Sequence, residues 1–343
     1  MLSQVISLSA TASLTTYLID KSAEYPDLDV RPAVLVLPGG GYAVCSDREA
    51  EPIALGFAAK GFHAFVLRYT VKSQRPWPAP LEDYEAAMET LLTRAEEWSV
   101  DRERIAVCGF SAGGHLAACA ATIAKHKPRA AVIAYGALTK ETASLCGNVP
   151  LPVDLVDENT APCFVFGTRN DNVAPVRNSV AFIGRLEQCG ISFESHIYSF
   201  GPHGFGTGEK AYNRPPITRR AARWQEDCAE WLGEVWGERT FEGYAAPKFG
   251  RRINGDIEKT LSLTCTYPHI LKQGDEAKAV LKEPLARIAA FLNKEPNEGV
   301  KHVIKTWTLF DILSALGYSE AALDALEGQL RAIDNMRESI LKN

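Results

Sequence analysis

Ser111 lies at the centre of Gly109-Phe110-Ser111-Ala112-Gly113, directly after the apolar run Ile105-Ala106-Val107-Cys108 and directly before Gly114-His115-Leu116-Ala117-Ala118. A strand that turns sharply into a helix strains its central residue and brings backbones close together, so small residues on either side are what the turn requires. Such a turn lifts the serine hydroxyl clear of a sheet and sets free N–H groups and the positive end of a helix dipole behind it. The chemistry this suits is nucleophilic attack on an acyl carbon. Taken alone, the pentapeptide also reads as a glycine-rich turn without chemistry, so its partners decide.

A base and an orienting acid are expected in the chain order serine, acid, histidine. Asp171 stands in Gly167-Thr168-Arg169-Asn170-Asp171-Asn172, after the apolar run Cys163-Phe164-Val165-Phe166. His203 stands in Gly201-Pro202-His203-Gly204-Phe205-Gly206, after the last predicted strand. Singly, Asp171 reads as a turn former and His203 as a loop histidine. Together, in this order and each at a strand's carboxyl end, they read as a triad in which His203 takes the Ser111 proton and Asp171 orients the imidazole.

A second glycine cluster, Pro38-Gly39-Gly40-Gly41-Tyr42, ends the first long apolar strand. The N–H groups of Gly40 and Gly41, with that of Ala112, are the predicted oxyanion-hole donors. A phosphate cradle is the weaker reading, since neither G-x-G-x-x-G nor a Walker lysine is present, and a plain flexible turn remains the alternative. Tyr42, Tyr69 and Trp77 sit at or just beyond strand ends and are candidate substrate contacts, with ordinary packing as the competing reading. Arg48 is a candidate for holding a substrate hydroxyl or an acidic sugar. Ser46 and Glu49 fit a capping box before Ile53-Ala54-Leu55, and His115 reads as a buried, hydrogen-bonded histidine and not as a second base.

These side chains need a scaffold, and the periodicity supplies one. Short β-rich runs at 13–19, 33–37, 63–69, 104–108, 130–135, 163–166 and 193–198 alternate with helical stretches near 50–60, 81–98, 114–124, 177–189 and 217–236. That alternation predicts an α/β class with a mostly parallel sheet covered by helices on both faces. At 343 residues, 46% hydrophobic and 23% charged, the chain has room for one sizeable α/β domain and something smaller. A net charge of −5 argues against nucleic acid and anionic membranes as partners. No run is long enough to span a bilayer, and the N-terminus lacks the pattern of a secretory signal, so a cytoplasmic location is expected. The eight cysteines are scattered without C-x-x-C pairs or clustered histidines, so neither a metal site, a cofactor nor a disulfide framework is predicted. Cys108, Cys119 and Cys163 read as reduced core thiols.

Over about the first 236 residues the chain resembles the α/β-hydrolase esterases related to acetylxylan esterases and other carbohydrate acetylesterases. The resemblance lies in Arg31-Pro32-Ala33-Val34-Leu35-Val36-Leu37-Pro38-Gly39-Gly40-Gly41-Tyr42, in Ser46-Asp47-Arg48-Glu49, in Gly109 through Ala117, in Asp171 through Ser179 and in His203-Gly204-Phe205-Gly206. It implies an α/β-hydrolase fold and deacetylation of an acetylated sugar or xylo-oligosaccharide. Related esterases often carry His-Gly-Gly-Gly where this chain has Pro38-Gly39-Gly40-Gly41; the donors are backbone groups, so the change need not remove activity. The connection from Gly136 to Ala161 is too short for a large lid domain, which fits an open cleft better than a buried lipid tunnel. A broad short-chain carboxylesterase, a serine peptidase of related fold and a catalytically silent interaction protein are the competing readings.

The expected organisation is a catalytic domain at 1–236, a Gly-, Arg- and Lys-rich linker at 237–255 and a small helical domain at 256–343. So few helices bury little core alone, so their apolar stripes are expected to dock on the first domain or on a second copy, making a homo-oligomer.

Overall fold

The computed structural model describes residues 1–24, 26–213, 219–240, 243–245, 255–258, 260–294, 299, 304 and 306–336. The chain divides into two compact units, Met1–Glu187 with Ile191–Pro247, and Lys248–Asn343 with Gln188–Gly190.

The first unit is built on an eight-stranded sheet of order β1-β2-β4-β3-β5-β6-β7-β8. Its strands are β1 (Leu2–Ser7), β2 (Ser13–Leu18), β3 (Arg31–Leu37), β4 (His63–Arg68), β5 (Val100–Phe110), β6 (Ala130–Ala134), β7 (Cys163–Thr168) and β8 (Phe193–Tyr198). β3 to β8 run parallel to one another, while β1 and β2 form an antiparallel margin, β2 pairing with β4. Parallel strands packed on both faces must be apolar throughout, and β6 and β7 are buried at every position. β1 escaped the sequence reading because it is an edge strand with no fully buried residue, so burial imposes no alternation on it.

The connections between the parallel strands carry helices, which cover both faces. Helices Glu51–Ala58 and Trp224–Trp236 share one face, where Trp224 stacks on Phe166 at 4.5 Å between ring centroids and meets Phe57 and Phe110 edge-on. Helices Ala79–Thr93 and Ala112–Ile123 lie on the other. Helix Ala112–Ile123 is buried from Ala112 to Thr122, and its run of Ala and Gly lets it press against the sheet. The helix expected at 81–98 is interrupted at Arg94, whose backbone (φ −97°, ψ 12°) lies outside helical geometry, and resumes at Ala95–Trp98.

The expected linker at 237–255 needs correction at its start. Arg239–Thr240 pairs antiparallel with Gly243–Tyr244 within the first unit. Arg239 donates to the Gly61 carbonyl, and the Arg104 guanidinium lies 3.6 Å over the Tyr244 ring. Residues 241, 242 and 246–254 of that stretch lie outside the described residues.

The second unit is helical, with helices Tyr267–Leu271, Asp275–Val280, Lys282–Lys294, Leu309–Ala315 and Glu320–Leu330. Thr266, Thr308 and Ser319 cap three of them, Thr308 forming a full capping box with Asp311. The unit has a core of its own, including Leu261, Leu263, Leu281, Ile288, Leu309, Leu313 and Leu330. The fold also gathers Asp256, Cys265 and His269 so that one ligand atom of each lies within 4.8 Å of the others, a cluster that sequence spacing hides. Hydrogen bonds of the unit already engage all three: Asp256 accepts from the Thr266 N–H and hydroxyl, His269 Nε2 pairs with Asn335 Oδ1, and Cys265 Sγ lies 4.0 Å from Ser262 Oγ. Among the described residues no helix is long and apolar enough to cross a membrane.

Candidate active site

β5 delivers Ser111 directly into helix Ala112–Ile123, and the turn between them is strained as expected: Ser111 has φ 53° and ψ −114°. The strain is held by packing. A Cβ on Gly113 would stand 2.0 Å from the Leu37 carbonyl oxygen, so the helix can approach β3 this closely only with glycine there. The Ser111 N–H is anchored to the Ala134 carbonyl at 3.0 Å, leaving the side chain at the carboxyl ends of the strands.

His203 Nε2 lies 2.9 Å from Ser111 Oγ, and its Nδ1 lies 2.7 Å from Asp171 Oδ2. Nδ1–H therefore donates to the carboxylate, and Nε2 is left to accept the serine proton. Asp171 is buried, its side chain only 2% exposed, while that of His203 is 17% exposed. The second carboxylate oxygen, Oδ1, accepts from the N–H groups of Val173 and Ala174, which fixes the acid in one orientation. The loop carrying the histidine is tied to β7 at Gly201, whose N–H donates to Asn170 Oδ1 and whose carbonyl accepts from the Thr168 hydroxyl. The structure thus brings together Ser111, Asp171 and His203.

The Gly39–Gly41 loop closes the other side. Gly40 at φ 127° occupies backbone space that an L side chain rarely adopts, and a Cβ there would meet the Val44 carbonyl oxygen at 2.2 Å. Tyr42 follows with φ 57°.

Two expected substrate contacts need correction. Tyr42 and Tyr69 are each only 2% exposed, and their hydroxyls are committed inside the protein. Tyr42 donates to His115 Nδ1 at 2.8 Å and Tyr69 to the Pro38 carbonyl at 2.6 Å, so both brace the glycine loop from behind. A buried phenol needs a partner, and here the partners are structural. Trp77 is half-buried and packs edge-on against Tyr42 and His115. Arg48 is exposed, with Nη2 lying where a Cβ on Gly204 would be 3.0 Å away.

His115 completes the support. Its Nε2–H donates to the Pro150 carbonyl at 2.9 Å while Nδ1 accepts from Tyr42, and burial pulls its pKa down to about 4. It is a neutral structural histidine.

The capping-box reading of Ser46 and Glu49 also fails: Ser46 makes no side-chain cap bond, and Glu49 is drawn instead into the site. Its Oε2 accepts the Gly39 N–H at 3.0 Å and its Oε1 the Tyr135 hydroxyl at 2.7 Å. Burial raises its pKa, opposed by these two hydrogen bonds and by the nearby His203 and Arg48 charges. Neither Glu49 nor Tyr135 had been singled out for the site. The only trace in the sequence is a glutamate close behind the glycine loop.

A mostly parallel sheet with a half-buried, strained serine between β5 and the following helix, and a histidine and acid after later strands, defines the α/β-hydrolase architecture. Residues 24–145 match the BD-FAE family model. An α/β hydrolase enzyme from a Medee basin deep-sea metagenome library is 39% identical, with a TM-score of 0.64 over 68% of this chain and 98% of that one. An acetyl ester-xyloside bifunctional hydrolase from Caldicellulosiruptor lactoaceticus is 27% identical, with a TM-score of 0.60 over 68% of this chain and 96% of that one. Among curated proteins, endo-1,4-beta-xylanase B of Butyrivibrio fibrisolvens is 30% identical over 208 residues, which is 51% of this chain and 32% of the xylanase. The chain belongs to the α/β-hydrolase family. It spans between about a third and about half of the length of the curated relatives it matches.

Proposed function

We propose that this protein is a serine esterase that removes acetyl groups from acetylated sugars or xylo-oligosaccharides. The observation that carries the reading is the continuous relay from Ser111 through His203 to Asp171, at 2.9 and 2.7 Å. In it, His203 Nε2 takes the Ser111 proton as Oγ attacks the ester carbonyl, and Asp171 stabilises the imidazolium that forms. The tetrahedral oxyanion is received by the N–H groups of Gly40, Gly41 and Ala112; the Gly39 N–H is already held by Glu49. Collapse expels the sugar hydroxyl, protonated by His203, and leaves an acetyl group on Ser111. Water, activated by the same histidine, then releases acetate.

The preference for a sugar alcohol draws support from the xyloside-acting relative and from the short connection between β6 and β7. That connection holds only the short helices Lys140–Ala143 and Pro152–Leu155 and the turn Ser144–Cys146. The test is hydrolysis of p-nitrophenyl acetate, butyrate and octanoate, alongside acetate release from acetylated xylo-oligosaccharide, by the parent and by Ser111→Ala. Acetate preference with sugar deacetylation, both lost in the variant, is the expected result. Octanoate preference would move the protein to the lipase-like esterases, and absence of Ser111-dependent turnover on every ester would overturn the reading.

A further inference from the structure

Glu49 joins the two loops that the proposed reaction needs. Its Oε2 accepts the N–H of Gly39, immediately before the Gly40 and Gly41 donors, at 3.0 Å, and its Oε1 accepts the Tyr135 hydroxyl at 2.7 Å. The Tyr135 oxygen accepts in turn the N–H of Gly206, in the loop beyond His203, at 3.0 Å. The Tyr135 ring also meets the His203 imidazole edge to face, with centroids 5.1 Å apart. A single line of hydrogen bonds therefore runs from the oxyanion loop through Glu49 and Tyr135 to the histidine loop.

The donor and acceptor inventory fixes the direction of this line. The Tyr135 hydroxyl accepts the Gly206 N–H and donates its own proton to Glu49, and the Gly39 N–H has only a proton to offer. The residue between them has to accept at both ends, which a carboxylate does and an amide does not. Both Glu49 and Tyr135 are buried, at 2% and 1% exposure. Tyr135 is moreover held at φ 36°, a backbone state that persists only where its surroundings over-determine it. A buried carboxylate is weak ground for net stability, since its desolvation offsets its attractions. What this one fixes is the spacing of two loops.

We propose that Glu49 is a positioning residue which, acting through Tyr135, holds the Gly39–Gly41 loop and the His203 loop at one separation, so that oxyanion donors and base meet the same carbonyl. The inference rests on the esterase reading above. The experiment compares full-length wild type, Ser111→Ala, Glu49→Gln, Tyr135→Phe and the double variant on p-nitrophenyl acetate. It adds the affinity for phenylboronic acid, whose tetrahedral adduct on serine mimics the oxyanion, and thermal unfolding of each protein.

Glu49→Gln sets an N–H against one of two donors, and Tyr135→Phe cuts the same line by removing one oxygen. Each is expected to lower kcat by about 10- to 100-fold with KM nearly unchanged, as misplacement near the chemistry does. Boronate affinity should fall in parallel, and the double variant should be no worse than the worse single one, because both break one connection. Losses confined to KM, losses that multiply in the double variant, or wild-type kcat in Tyr135→Phe would overturn the inference. Should Glu49→Gln fail to fold, Tyr135→Phe decides alone through its kcat and boronate affinity. Wild type lacking Ser111-dependent turnover would overturn the esterase reading and this inference with it, whereas Ser111-dependent turnover that Tyr135→Phe leaves untouched sinks only the inference.

Discussion

Replacing Asp171 by asparagine separates orientation from mere presence of the acid. Asp171 Oδ1 accepts two backbone N–H groups, those of Val173 at 2.8 Å and Ala174 at 2.9 Å, while Oδ2 faces His203 Nδ1 at 2.7 Å. An asparagine must turn its carbonyl oxygen to the two N–H donors, because an amide NH₂ there would set donor against donor. Its NH₂ then falls where Oδ2 was and donates to Nδ1. The imidazole proton is driven to Nε2, which now points a donor at Ser111 Oγ from 2.9 Å and can take no proton from it. A wrong tautomer of this kind costs about 10⁴ in kcat, or about 5 kcal/mol of transition-state stabilisation. Volume and both backbone hydrogen bonds are kept, so unfolding temperature should change little. The assay is kcat on p-nitrophenyl acetate beside thermal unfolding of the same preparation. An Asp171→Asn protein that folds normally and keeps more than about a tenth of wild-type kcat would refute the tautomer argument.

The glycine loop offers a contrast between neighbours. Gly40→Ala places a Cβ 2.2 Å from the Val44 carbonyl oxygen and should distort the loop, whereas Gly41→Ala meets nothing within 4 Å and carries only its φ of 62° as a burden. Steady-state kinetics should therefore show a loss of about 100-fold or more in Gly40→Ala and a much smaller one in Gly41→Ala. Equal losses would mean the backbone space is not what matters.

His115, with its pKa lowered from 6.5 to about 4 by burial, is neutral in the fold, and the unfolded chain binds the extra proton as pH falls. Its contribution is full above pH 6.5 and is lost as pH falls toward 4, on the order of 3 kcal/mol in all. Urea midpoints of wild type and His115→Gln between pH 7 and 5 check this: the variant should show the shallower dependence, and parallel curves would argue against it. His63, lowered to about 4 chiefly by burial, works in the same window and contributes to the slope that remains in the variant. Finally, every residue of the proposed triad and oxyanion hole lies in the first unit, so a chain ending at Pro247 should keep kcat/KM within about threefold of the parent, as a domain with its own core would. A large loss would assign the helical unit a part in turnover.

Much of the catalytic unit was legible before folding because its signals are local. Strands β3, β6 and β7 are short apolar runs bounded by turns, and the Gly109–Gly113 turn announces itself through residue types that only a tight strand-to-helix junction needs. Chain order and position after strands pointed to Asp171 and His203, and the fold brings both into line with Ser111. What failed had a common cause. β1 has no buried face to impose a pattern, and the paired strands Arg239–Thr240 and Gly243–Tyr244 are held by Arg104 and by the Gly61 carbonyl, both distant in sequence.

The tyrosines show the same limit. From sequence, Tyr42 and Tyr69 at strand ends look free to meet a substrate; folded, they point inward because His115 and the Pro38 carbonyl offer their hydroxyls the partners that burial demands. Glu49 is the clearest case. Its spacing from Ser46 matches a helix cap, yet its carboxylate is claimed by Gly39 and by Tyr135, 86 residues away in the chain. The sequence by itself determined the element pattern and the types and order of the chemical groups, since these follow from local geometry and hydrophobic period. Only the tertiary structure decided which polar atoms meet, because a buried donor or acceptor takes whatever partner the packing brings within 3 Å, wherever that partner lies along the chain.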